Sequence, residues 1–160
     1  MIKVEEIAEK YKGYEVDEEK LKEFLMPPKP RTVWDLKEGD RYYYFDDYDG
    51  VSFSTWNDID VDITRRYFGN CFLTKEEAQF EVERRKVEVI LLKYGRRGFK
   101  YSEDNYYIYY EYDESSIEIV CYESFQDQGV IYFDTEELCQ KAMIAAGEEN
   151  IKKYIFGVED

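Results

Sequence analysis

The chain has 160 residues and a formal net charge of −15; 44% of its residues are hydrophobic and 18% aromatic. That length suits one domain with a core and at most a small appendage. The absence of histidine excludes histidine triads, histidine general bases and histidine metal sites together.

Helical spacing of Val4, Ile7, Ala8 and Tyr11 predicts a helix at the start of residues 3–25, interrupted at Gly13. Asp17 is a candidate N-cap for a second short helix with Leu21, Phe24 and Leu25 on one face. Pro27, Pro28 and Pro30 then forbid helix and favour an extended spacer. Residues 1–26 are therefore expected to form a helical arm and 27–32 a stiff linker. The arm either packs back on the core or engages a partner.

After the linker the chain reads as an α+β fold: antiparallel sheet with helices on one face, built from a repeated β-β-(β)-α unit. The first unit, 33–100, holds strands at Gly39–Phe45 and Val51–Trp56, a possible third at Ile59–Ile63, and a helix running to about Lys93. In that helix Ala78, Val82, Val89 and Leu92 form one stripe, with Phe80 and Val87 beside it. The second unit, 101–160, holds strands at Asn105–Tyr112 and Ile117–Tyr122 and a helix bearing Leu138, Ala142, Ala145 and Ala146, closed by Gly147. Ile151, Tyr154 and Ile155 predict one more short helix. The junctions align without a gap, Phe72 to Ala78 on Tyr132 to Leu138. Each then carries a capping box, Thr74 with Glu77 and Asp134 with Glu137, in which the cap oxygen accepts the N3 amide and the Glu reaches back. The alternative to duplication is the strand-then-helix order that any α+β protein shows.

The charge is unevenly placed. Residues 81–100 carry seven basic and three acidic residues, and residues 101–140 carry eleven acidic and no basic ones. On Tyr106–Asp113, alternation puts Tyr107, Tyr109, Glu111 and Asp113 on one face, away from Tyr106, Ile108, Tyr110 and Tyr112. Glu118, Val120 and Tyr122 oppose Ile117, Ile119 and Cys121 in the same way.

Asp58, Asp60 and Asp62 stand at alternate positions in Trp56-Asn-Asp-Ile-Asp-Val-Asp62. They match the start of a calcium loop, which also needs Gly at its sixth and Glu at its twelfth position; those positions hold Ile63 and Gly69. With Ile59, Val61 and Ile63 between them, the aspartates read instead as the outward side chains of a strand, spaced about 6.7 Å apart. No glycine-rich phosphate loop is present, so no cofactor is expected. Cys71, Cys121 and Cys139 are odd in number and far apart, which fits reduced thiols rather than a disulfide framework. No catalytic pattern appears, and a non-enzymatic protein is expected. The acidic block disfavours direct nucleic-acid binding, because phosphates would be repelled. No apolar run nears the ~18 residues of a membrane span, and Met1-Ile-Lys-Val-Glu-Glu6 lacks a signal-peptide pattern, so a cytoplasmic protein without membrane contact is expected.

What remains is either a merely solvated acidic surface or a face for a partner with a basic nucleic-acid-binding groove. The candidate partner-binding residues are Asp58, Asp60, Asp62, Tyr107, Tyr109, Glu111, Asp113, Glu114, Glu118 and Glu123.

Trp34, Gly39-Asp-x-Tyr-Tyr-Tyr44, Gly50, Trp56, Asp62, Arg65 and Gly69-Asn-x-Phe-x-Thr-x-Glu-Glu-Ala78 together resemble small phage and prophage proteins of Firmicutes, over roughly residues 30–95. The resemblance implies a fold module and no site residues. A phage setting implies a counter-defence role: a nucleic-acid mimic in the host cytosol that inhibits a CRISPR or restriction nuclease. The alternative is a phage structural or regulatory protein that meets its partner through the N-terminal arm.

Overall fold

The computed structural model describes residues 4–15, 30–46, 48 and 50–158. They fall into two units, 1–31 and 32–160. In the first, α1 spans Val4–Lys10, and Ile7, Tyr11 and Tyr14 are exposed. The expected helix after Asp17 and residues 27–29 of the linker lie outside the described residues.

The second unit is α+β. A 3-10 turn at Val33–Asp35 leads into β1 (Arg41–Asp46), which pairs antiparallel with β2 (Gly50–Thr55). Helix α2 (Asp60–Tyr67) and the long α3 (Lys75–Leu92) follow. A second hairpin, β3 (Asn105–Glu111) with β4 (Ser116–Tyr122), is followed by α4 (Glu136–Ala146), α5 (Glu148–Ile151) and a π-helical turn at Lys152–Phe156. The hairpins form two separate sheets.

Both hairpins acquire a third extended segment from the chain just before the following long helix. Phe72 bridges Tyr43, and Phe133 bridges Tyr106. Beside the first bridge, the Asn70 side chain stands in for backbone: its Oδ1 accepts from the Phe45 amide and its Nδ2 donates to the Phe45 carbonyl, each at 2.9 Å. These bridges correct the expected junction register by one residue. Phe72 corresponds to Phe133, not Tyr132, and Thr74 corresponds to Thr135. Thr74 and Glu77 form the expected capping box on α3. On α4 the cap is Thr135, whose side chain accepts from the Leu138 amide at 3.2 Å. The third helical position is then Leu138, so Glu137 has no box to close. Asp134 is bound instead to Arg96 and Lys100, at 2.8 and 2.9 Å.

The expected single stripe on α3 also changes. Ala78, Val87 and Leu91 are its buried residues, and Val89 is 65% exposed. Ala78 and Val87 are about half a turn apart in azimuth at 100° per residue. The face carrying Arg85, stacked on the Phe45 ring at 4.5 Å, turns to the first hairpin. The opposite face, with Phe80 against Tyr154 and with Val87 and Leu91, turns to the second. A helix buried on opposite sides along its length has no single apolar stripe. The larger core gathers Val87, Leu91, Ile108, Ile117, Phe133, Cys139, Ala142, Ala146 and Ile151. A smaller one holds Leu36, Tyr42, Trp56 and Cys71. Among the described residues no helix is long and apolar enough to cross a membrane.

Candidate partner-binding surface

The aspartate row is not a strand. Asp58 lies at φ +56°, in the left-handed region, and turns the chain. Ile59 caps α2, and Asp60 and Asp62 fall in its first turn, where acids favour the helix N-terminus. Arg65 and Arg66 sit in its last turn. Gly69, at φ +66°, closes it with the bonds of a Schellman end, Gly69 N–H to the Arg66 carbonyl and Asn70 N–H to the Arg65 carbonyl. The expected orientation fails at three of the six positions: Ile59 and Val61 are exposed and Asp62 is buried at 1% exposure, while Ile63 packs against the smaller core. Asp62 accepts from the Tyr42 hydroxyl at 2.7 Å and from the Asn57 amide at 2.8 Å. Arg65 donates to the same hydroxyl at 2.8 Å and lies 3.4 Å from the Tyr44 ring centroid. Burial pushes the Tyr42 phenol above its ordinary pKa. Asp62 therefore belongs to a buried structural network and cannot meet a partner. Asp58 and Asp60 are exposed, but in the turn before α2 and in its first turn rather than on the acidic hairpin.

Sequence reasoning missed this Tyr42–Asp62–Arg65 network and the neighbouring stack of Arg66 between Trp34 and Trp56, at 4.8 and 4.4 Å. The available signal was the pattern of acids, then Arg65-Arg66, then Gly69, which marks a helix from start to stop.

The second hairpin keeps the expected alternation. Tyr109 lies opposite Glu118 and Glu111 opposite Ser116 on the outer face, while Ile108 lies opposite Ile119 on the core side. The outer face is not uniformly open, however. At the end away from the turn, Tyr107 is buried: its ring meets Tyr132 at 5.8 Å and Tyr122 at 6.2 Å, and its hydroxyl bonds the Asp127 carboxylate. Burial, then the bond to Asp127, raises the Tyr107 phenol above its ordinary pKa. Tyr132 locks the covering loop by accepting from the Asp127 amide and donating to its carbonyl, both at 2.8 Å. Tyr107 is thus a packing residue. Tyr109, at 38% exposure, remains available with Glu111 and Glu118. Asp113 and Glu114 are exposed at the turn, and Glu123 is exposed beyond the far end of β4.

The cations of 81–100 do not neutralise this face. Arg84 and Arg85 pair with Glu81, Lys86 with Glu83, and Arg97 with Glu88. Arg96 and Lys100 converge on Asp134. Among the described residues, Glu111, Asp113, Glu114, Glu118 and Glu123 have no basic partner. The two buried thiols are held protonated: burial pushes Cys71 from 9.0 up to about 11 and Cys139 from 9.0 up to about 12. Among the described residues, no three carboxylate or thiol side chains gather as a metal site would require.

No protein-family model matches the chain, and no curated protein or solved structure matches it significantly. The string Gly69–Ala78 has a structural role at most positions here: Gly69 ends α2, Asn70 extends the sheet ladder, Cys71 is buried, Phe72 bridges Tyr43, and Thr74 and Glu77 cap α3.

Proposed function

We propose that the chain is a non-enzymatic binding protein that presents the turn end of its second hairpin to a basic, nucleic-acid-binding surface of another protein. The observation that carries this reading is the row of carboxylates, Glu111, Asp113, Glu114 and Glu118, set beside Tyr109 without a basic partner among the described residues. Such a face attracts a groove built for phosphates, and Tyr supplies a large amphipathic contact. The phage resemblance makes a host defence nuclease, of CRISPR or restriction type, the first partner to test, with the acidic face acting as a nucleic-acid mimic.

The test is capture of such nucleases on the immobilised chain at about 0.1 M and about 1 M salt, over which the Debye length falls from about 10 to about 3 Å. Capture should fall steeply with salt, and Glu111→Lys with Glu114→Lys should weaken it at least about tenfold. Capture that is indifferent to both salt and charge reversal refutes the reading.

A second reading has its own support. Ile7, Tyr11 and Tyr14 recur at helical spacing on or just beyond α1 and are exposed, as expected of an arm that meets a partner. Deleting residues 1–26 abolishes binding under this reading and leaves it intact under the first.

A further inference from the structure

Among the described residues β4 pairs only with β3, so its outer edge is free. The strand runs Ser-Ile-Glu-Ile-Val-Cys-Tyr without the lysine, proline or bulge that commonly protects an edge. Alongside this edge lies a groove of about 590 Å³, bounded on the other side by α4. Ile117 and Ile119 from β4 and Met143 and Ile144 from α4 give it an apolar lining, and Ile144 is 83% exposed. Glu118 and Glu136 stand at its rim. Glu148 is there too, but bound to Lys152 at 3.1 Å. Among the described residues no Lys or Arg lines it.

We infer that this groove takes an extended, basic segment of a partner protein, added as a strand to the edge of β4. The direction of side chains on such a strand sets its pattern. Alternate residues would fall over Met143 and Ile144, and the intervening ones would emerge on the outer face beside Glu118. The segment that fits therefore alternates apolar residues with Lys or Arg. The α4 stripe from Glu136 to Gly147 is roughly 16 Å long at 1.5 Å per residue, room for about five strand residues. A second copy of this chain fits poorly, since two β4 edges would bring their Glu118 side chains into one row. The inference takes the sign of the partner's charge from the acidic-face reading, but the groove and the free edge stand apart from it.

The test is fluorescence anisotropy of the full chain with a labelled peptide of alternating Lys and Val. Three comparisons accompany it: the same peptide N-methylated at alternate residues, an oligolysine of equal charge, and sedimentation of the chain alone. The Lys–Val peptide should bind. N-methylation in the phase that faces the edge should weaken it at least about tenfold, as should Ile144→Lys, whereas Glu38→Lys, at an exposed position before β1, should change Kd by less than about threefold. Oligolysine binding as tightly as the Lys–Val peptide, with Ile144→Lys without effect, overturns the groove while leaving the acidic face standing. No binding of the Lys–Val peptide overturns the groove. A dimer in sedimentation that Ile144→Lys dissolves assigns the edge to a second copy and overturns the proposal.

Discussion

Replacing Asp62 should be the most damaging of the three aspartate substitutions, because it is the one whose carboxylate is shut away from water. Asp62→Ala removes the acceptor of two bonds, from the Tyr42 hydroxyl at 2.7 Å and the Asn57 amide at 2.8 Å. Hydrogen bonds to a charged group contribute about 1.5–3 kcal/mol each. The Tyr42 side chain, at 0% exposure, gains no water in exchange, whereas Asn57 is exposed and its amide can be rehydrated. The two bonds and the nearby Arg65 are coupled, so the expected loss is about 3–5 kcal/mol rather than the full additive total. Asp62→Asn is the cleaner perturbation. Its Oδ1 can still accept from Tyr42, but its amide nitrogen faces the Asn57 N–H, donor against donor, and the expected loss is about 1–3 kcal/mol. Asp58→Asn and Asp60→Asn, both exposed, should cost less than about 1 kcal/mol. Urea unfolding followed by tryptophan fluorescence reads all four, since the Trp56 ring lies 6.0 Å from that of Tyr42. An Asp62→Asn loss no larger than that of Asp60→Asn would refute the buried network and restore a solvated aspartate.

Three further outcomes follow from other parts of the fold. By thermal melting, Thr135→Ala should cost about 1 kcal/mol and Glu137→Ala less than about 0.5 kcal/mol, while Thr74→Ala and Glu77→Ala should both be felt on α3; the reverse order for Thr135 and Glu137 would return the cap to Asp134. Gly95→Ala should destabilise by about 1–3 kcal/mol in urea titrations, because a Cβ there would stand 2.6 Å from the Ile131 Cγ2 and 2.8 Å from the Tyr132 carbonyl oxygen. Gly98→Ala, with nothing among the described residues within 4 Å of its Cβ, is the control and should be nearly silent. Finally, Cys71 and Cys139 should resist a thiol reagent at about pH 8 until the chain unfolds. Their folded pKa values lie above 9.0, so the unfolded chain releases these protons first. Their contribution to stability is intact below pH 9 and is lost as pH rises towards 11 and 12, which alkaline denaturation series on Cys71→Ala and Cys139→Ala can isolate.

The residues of the second hairpin were legible because their period of two coincides with what they do: Ile108, Ile117 and Ile119 pack on the core side, and Tyr109, Glu111 and Glu118 face outward. Thr74 and Glu77 were legible because a cap is local and needs only neighbours in the chain. Asp62 was misread because five residues of alternation fit a strand, whereas the stops that make them a helix lie outside that window, at Arg65, Arg66 and Gly69. Asp134 was misread because Arg96 and Lys100, which hold it, come from more than thirty residues earlier.

By itself, then, the sequence determined what depends on local chemistry: the α+β class, the two hairpins, the start of α3, and a forty-residue block of acids with no base. Tertiary structure alone decided which side chains that chemistry leaves available. It drew Asp62 inward onto Tyr42, closed Tyr107 beneath Tyr132, gave α3 two buried faces, and left the β4 edge open beside α4. Each of these depends on contacts between residues far apart in the chain, and neither residue type nor spacing encodes such a contact until the elements have packed.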